Sequence, residues 1–356
     1  MSAEAQVPGR DLNGDTITAI ALDTVRVGGR IDELIGIATT ASEGRVGAAD
    51  LFSRPISREG ELLETVPGVI VTQHSGEGKA NQFFIRGFNL DHGTDFQTRV
   101  EGMPVNMPTH AHGQGYTDLN FLIPEFVDLL DYRLGVYHAE LGDFGSAGGA
   151  EFHLARTLDS PFTQLTVGAH GLARLVGGTS TSLGPGHLLV GGETRRYDGP
   201  WDVEQDLRKL SGMARYSWEP GDSRISVLAM AYRNRWNASD QIPLRAVESG
   251  LIDRFGQIDP TDAGEARRYS LSGSWRRLED YSSQEIQMFG IYSDLDLFGN
   301  FTYFLDRPGE GDQHLQHEQR LVVGGNAKHL QELDALGVPH ALTIGVQNRV
   351  DLIGEL

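Results

Sequence analysis

From about residue 158 onward the chain alternates apolar and polar residues over runs too long for an ordinary soluble sheet. Leu165, Val167 and Ala169 interleave with Gln164, Thr166 and Gly168, and Leu210, Gly212, Ala214, Tyr216 and Trp218 with Ser211, Met213, Arg215 and Ser217. The same holds for Tyr269, Leu271, Gly273 and Trp275 against Ser270, Ser272, Ser274 and Arg276. It holds again for Leu321, Val323, Gly325 and Ala327 against Arg320, Val322, Gly324 and Asn326. Successive strand residues face opposite ways, so each run is a strand between two different solvents. Roughly nine runs fit between 158 and 356. Tight breaks (Leu183-Gly184-Pro185-Gly186, Glu219-Pro220-Gly221-Asp222) alternate with longer ones such as 236–265, and Tyr216, Trp218 and Trp275 fall at run ends. Short turns at one end, long loops at the other and aromatic belts describe a transmembrane β-barrel. A soluble antiparallel sandwich would give the same alternation, but its strands usually stop near 5–6 residues.

Composition narrows the choice. No apolar run approaches the roughly 18–20 residues of a spanning helix, which leaves a barrel open. A net charge of −19 argues against a nucleic-acid partner, which needs a basic face. The absence of cysteine excludes disulfides, thiolate metal sites and a cysteine nucleophile. There is no G-x-S-x-G elbow and no H-E-x-x-H, and Gly145–Gly149 lacks the Lys-Ser/Thr of a phosphate loop. Neither an enzyme nor a cofactor is expected. Met1–Pro8 has no basic or apolar export region, which fits a cytoplasmic chain or one starting downstream of its signal. His340–Gln347 still alternates close to Leu356, so the chain reads as a fragment.

Residues 1–30 read as a polar, flexible segment, and 31–157 as a compact α+β unit. Ser57 is placed to cap a short helix carrying Leu62, Leu63 and Val66, which Pro67-Gly68 ends. Strands are expected at 69–72, 82–86 and 98–101, with a turn at Gly102-Met103-Pro104. A second helix is expected from Asp118 or Pro124 into Phe126–Leu130, then strands near 132–134 and 151–154.

Within this unit, Glu61-Leu62-Leu63-Glu64-Thr65-Val66-Pro67-Gly68-Val69 resembles the "L-x-x-V-P-G-V" segment of the plug domain of TonB-dependent outer-membrane receptors. Phe84-Ile85-Arg86-Gly87-Phe88 resembles its "I-R-G" strand, and Val100-Glu101-Gly102-Met103-Pro104 its "D-G-V-P" turn. Leu119–Pro124 and Gly145–Ala150 follow in family order. Leu130–Val136 departs from the pattern by lacking the proline of "K-G-P". The resemblance implies a mixed fold: an α+β plug at 31–157, then the antiparallel strands of an incomplete transmembrane β-barrel at 158–356. Members close 22 strands. At the spacing seen here that takes on the order of 490 residues, so less than half a barrel is present and this chain alone is not expected to transport.

The resemblance further implies active uptake of a scarce ligand, such as an iron-siderophore or other metal chelate, by a monomer in the bacterial outer membrane. Outer-membrane lipid and the periplasmic domain of TonB would be its partners. The alternative is a β-scaffold surface receptor without active transport, with a soluble β-rich carbohydrate-active enzyme more distant. Asp23-Thr24-Val25-Arg26-Val27 resembles a TonB box, an extended segment that adds to the edge of a partner's sheet. Asp15-Thr16-Ile17-Thr18 is the alternative box, and a first plug strand the alternative role. Arg86, Arg99 and Glu101 are candidate latches between plug and barrel, or solvated strand charges. Asp91, His92, Asp95, His110 and His112 are candidate ligand contacts in apical loops. In an extended chain His110 and His112 share a face and could grip a metal ion together. The other reading is that these histidines hydrogen-bond within plug loops.

Overall fold

A computed structural model describes residues 9–10, 16–17 and 37–356, apart from Ser239 and 336–337. The candidate box at 23–27 lies outside the described residues. Of the alternative box, Thr16–Ile17 pairs antiparallel with Gly9–Arg10.

The N-terminal unit is built on a six-stranded mixed sheet of β1 (Ile37–Thr40), β2 (Glu43–Gly47), β5 (Phe96–Val100), β6 (Met103–Pro104), β7 (Val127–Leu134) and β8 (Gly148–Leu154). Its order is β1-β2-β7-β8-β5-β6, and β8 runs parallel to β5. A smaller sheet joins β3 (Val69–Thr72) and β4 (Gln82–Ile85) to Phe88–Asn89. The helix α1 spans Ala48–Phe52. The helix expected from Ser57 is a 3₁₀ turn, Glu59–Thr65, with Leu62 and Leu63 fully buried. Glu61 caps it in place of Ser57, its Oε2 accepting from the Ser57 and Arg58 amides at 2.8 and 3.2 Å. The second expected helix is corrected: only Pro124–Phe126 is helical, and Val127–Leu134 is strand β7. A bulge between Val127 and Leu129 disguises the alternation of Leu130, Tyr132 and Leu134 as a helical spacing.

The second unit is one nine-stranded antiparallel sheet in sequence order. Its strands are β9 (Phe162–Val167), β10 (Ala173–Leu183), β11 (Gly186–Tyr197), β12 (Leu207–Trp218), β13 (Ser223–Asn237), β14 (Ala263–Glu279), β15 (Ser282–Gly299), β16 (His314–Ala335) and β17 (Val338–Glu355). The connections 184–185, 219–222 and 280–281 are short and lie at one end. Those at the other end, 198–206, 238–262 and 300–313 above all, are long. Trp218, Ile225, Trp275 and Ile286 are successive register partners, a belt across the short-turn end.

This sheet is inside out relative to a soluble one. Lys209, Ser211, Arg215 and Ser217 of β12 are buried, while Leu210 is 63 % exposed. Outward residues on neighbouring strands agree, with Leu271 57 % and Met288 70 % exposed. The polar face packs on the N-terminal unit, and the apolar face is the band a bilayer-spanning barrel carries.

Glycines of the sheet receive rings from both units. Phe126 lies against Gly178 and Gly191, where a Cβ on Gly191 would stand 2.0 Å from its Cζ. Trp236 fills the space left by Gly76, Gly78 and Gly264. Gly191→Ala is therefore expected to destabilise the packed units by ~1–3 kcal/mol through overpacking. Thermal unfolding in detergent would show it, and Phe126→Leu in the same chain should restore part of the loss.

Candidate functional site

The N-terminal unit meets the sheet in two chemically different ways. On the β10–β12 side the contacts join charged side chains. Lys209 of β12 binds Glu59 and, at 3.0 Å, Glu193 of β11. Arg174 of β10 binds Glu193 at 2.6 Å and Glu125 at 2.5 Å. Arg195 of β11 reaches Glu77 at 2.7 Å. Arg215 of β12 binds Glu101 at 2.5 Å and also donates to the Leu154 and Ala155 carbonyls at 2.6 and 3.2 Å and to Ser226 Oγ at 3.0 Å. The inner unit supplies Glu59, Glu77, Glu101 and Glu125, and the sheet supplies the four cations together with Glu193.

On the β15–β17 side, the sheet's side chains donate to backbone carbonyls. Gln287 donates to Glu101 O, Asn326 to Gly102 O at 3.2 Å, and Arg349 to Asn106 O at 2.7 Å. Arg320 donates to Thr109 O, Gln316 to Ala111 O at 3.2 Å, and Gln347 to Glu140 O at 3.0 Å.

Four imidazoles gather toward the long-loop end. His92 is buried, its Nδ1 3.1 Å from both the Ala80 and Asn81 carbonyl oxygens and its Nε2 3.2 Å from Nε2 of His74. His112 packs edge-on against His92 with centroids 4.7 Å apart, and its Nδ1 lies 2.7 Å from Gln316 Oε1. His110 turns away and stacks on Tyr116 at 4.0 Å. The sequence expectation of an extended 110–112 segment is corrected here. The chain bends, the His112 amide donating to His110 Nδ1 at 3.1 Å, and the two rings take different neighbours. Among the described residues no three His, Asp or Glu side chains are arranged as a metal site. Burial, with the Lys79 charge adding to it, pushes His92 down to about 2 and His112 to about 4; burial with Arg320 pushes His110 to about 3. All three rings are neutral at pH 7.

Residues 37–150 match the sequence model of the TonB-dependent Receptor Plug Domain. The chain carries a TonB-dependent receptor plug. Most of the chain is similar in fold to solved structures at low identity. The ferric citrate transporter FecA in its unliganded form superposes with a TM-score of 0.70 at 15% identity, over 88% of this chain and 49% of that one. The siderophore receptor PiuA from Acinetobacter baumannii gives 0.65 at 12%, over 86% and 45%. The copper transporter OprC gives 0.64 at 17%, over 89% and 48%. This chain spans about half the length of the solved structures it matches.

Within the plug the three candidate latch charges separate. Glu101 sits on Arg215 of the wall. Arg99 donates to Gln347 Oε1 at 3.0 Å and to Glu140 O at 2.9 Å. Arg86 holds a positive φ in the β4 hairpin and makes no ion pair among the described residues. Asp95 accepts from Ser146 and so ties two plug turns together. Asp91 is exposed, with Oδ1 3.7 Å from His92 Nε2. Sequence reasoning missed Glu59, Glu77 and Glu125 in the plug, and Arg174, Arg195 and Lys209 in the wall. The available signal was a set of cations on the polar faces of β10–β12.

One plug histidine behaves oppositely to the apical group. Burial alone would lower His153, but its contact with Asp131 at 3.1 Å and the Glu151 and Glu101 carboxylates outweigh that and push it up to about 9. A raised histidine favours the fold fully below its unfolded value near 6.5, and that contribution is lost as pH rises through 9. The stability gap between the native chain and His153→Gln is expected to be constant below pH 6.5 and to close by pH 10, measured by thermal unfolding in detergent.

Proposed function

We propose that this chain is the energy-coupling segment, plug and first nine wall strands of an outer-membrane transporter that takes up a scarce ligand, with bounds near 1–30, 31–157 and 158–356. The carrying observation is the inverted sheet: its charged face is occupied by a plug and its apolar face points outward. A plug held by buried ion pairs and hydrogen bonds alongside its apolar contacts with the wall suits a gate that mechanical work can shift. That work would come through TonB, which binds the N-terminal segment by strand addition. Similar folds are named as siderophore receptors, a ferric citrate transporter and a copper transporter, which supports an iron chelate or other metal complex as cargo. The exposed Asp91 and the apical histidines face the long-loop end, where such cargo would arrive. The protein makes and breaks no covalent bond in this reading.

The full-length receptor is expected to fractionate with outer membranes as a heat-modifiable band. Its uptake should stop when TonB is removed while surface binding continues. Recovery in the cytosol would overturn the reading, and TonB-independent accumulation of bound ligand would favour a passive surface receptor.

A further inference from the structure

We infer that five outward arginines at the long-loop edge of the wall, Arg196, Arg208, Arg233, Arg235 and Arg267, bind the phosphomonoester headgroup of an outer-leaflet lipid. The inference rests on the reading of the sheet as a transmembrane wall, and it concerns the lipid around that wall rather than the cargo.

Strand register gathers these side chains into one patch. Arg196 of β11 is the partner of Arg208 of β12, and Arg208 that of Arg235 of β13. One row nearer the middle of the wall, Arg233 of β13 is the partner of Arg267 of β14. Alternation sets all five on the outward face with Leu210 and Leu271, and their side chains are 39–56 % exposed. Neighbouring strands lie about 4.7–4.9 Å apart, so guanidiniums of adjacent strands can close on a single phosphate.

Their depth is that of a headgroup. Outward residues of β14 run Arg267, Tyr269, Leu271, Gly273, Trp275 and Arg277. At about 3.4 Å per residue, Arg267 and Arg277 stand roughly 34 Å apart along the strand. A tilt of about 35–45° reduces that to roughly 24–28 Å, the height of the apolar band of an outer-membrane barrel. Tyr269 and its register partner Tyr292 stack just inside the Arg267 edge, ring centroids 6.2 Å apart, where interfacial aromatics sit. The arginines therefore border the acyl region directly.

Local charge leaves room for an anion, in a chain whose net charge is −19. Asp206 is shared by Arg208 at 3.0 Å and Arg235 at 3.4 Å, and Glu265 by Arg267 at 2.7 Å and Arg233 at 2.8 Å. Arg196 has Asp198 at 3.4 Å. Five guanidiniums thus meet three carboxylates, which leaves positive charge and spare N–H donors for a phosphate dianion. Asp294 and Asp296 of β15 face Arg267 and Glu265 in register, so the basic patch ends at β14. At the short-turn edge of the same face, Arg277 is matched one for one by Glu279 at 2.7 Å. Guanidinium forks take phosphate oxygens in pairs. The apolar rows beneath the patch would hold acyl chains, which favours a lipid phosphate over a free one.

The 356-residue chain in neutral detergent micelles, titrated with a fluorescent phosphatidic acid, with the matching diacylglycerol and with inorganic phosphate, tests this. Phosphatidic acid is expected to bind saturably and to weaken as salt rises, with the other two probes at least about tenfold weaker. The Arg208→Gln, Arg235→Gln chain should bind phosphatidic acid at least about tenfold more weakly, and Arg277→Gln within about twofold of the native chain. Matched thermal transitions separate lost contacts from lost folding. Inorganic phosphate bound as tightly as the lipid would overturn the lipid as its source, and diacylglycerol bound as tightly would overturn the headgroup. An unchanged double variant, or an equal loss in Arg277→Gln, would overturn the site. Arginine-dependent lipid binding by a full-length receptor that shows no TonB-dependent uptake would instead overturn the transport reading and leave the site standing.

Discussion

Arg215→Ala is expected to cost about 3–5 kcal/mol of the cohesion between plug and wall, the range for breaking a buried pair from one side. Arg215 is 2 % exposed and binds Glu101, two plug carbonyls and Ser226. Removing the guanidinium strands a largely buried carboxylate that keeps only the Leu154 amide as a donor. Burial would raise Glu101, yet Arg215 and the Leu154 amide hold it below the ordinary glutamate range, so it stays ionised and needs a partner. Glu101→Gln should cost less, because a neutral amide can still accept from Arg215. A Glu101→Leu, Arg215→Met chain should recover much of the loss, since replacing both charges by apolar groups is often near neutral. Unfolding in detergent, followed by protease release of the plug, measures all three. A loss below about 1 kcal/mol for Arg215→Ala would place this contact with exposed pairs of little worth.

Val25→Pro in the full-length receptor is expected to abolish uptake while ligand binding at the cell surface persists. Proline removes an amide and fixes φ, so a segment that must pair edge-on with TonB loses its register there. Val25 precedes the plug in sequence, so binding and folding should stay intact. Uptake measured with labelled ligand, beside binding on intact cells, separates the two effects. Normal uptake here with loss in Thr16→Pro would move the coupling segment to 15–18.

Alternation made the wall legible. Period 2 marks strands wherever they occur, and Pro220-Gly221 and Gly184-Pro185 punctuate them plainly. Which face is buried is another matter, because alternation is symmetric; the plug segments at 61–69, 84–88 and 100–104 supplied the reason for a polar interior. Val127–Leu134 was misread because a bulge mimics helical spacing. The wall pairs were illegible for a different reason. Glu59 and Lys209 are separated by 150 positions, and nothing local in Glu59-Gly60-Glu61 indicates which carboxylate turns outward. Nothing in the sequence around His74 indicates its contact with His92, which only folding brings to 3.2 Å.

The carbonyl-directed side of the plug bears on how such a protein diversifies. Every residue type offers the same backbone oxygen, so Arg349, Arg320 and Gln316 hold the stretch 106–111 through its carbonyls rather than its side chains. Substitutions along that stretch can re-tailor what the apex recognises and leave the docking bonds untouched. The opposite side has no such latitude: a change at Glu59, Glu77, Glu101 or Glu125 must be answered by a matching change in the wall. One half of the interface is a record of paired substitutions, and the other is ground on which new specificities can be tried one residue at a time.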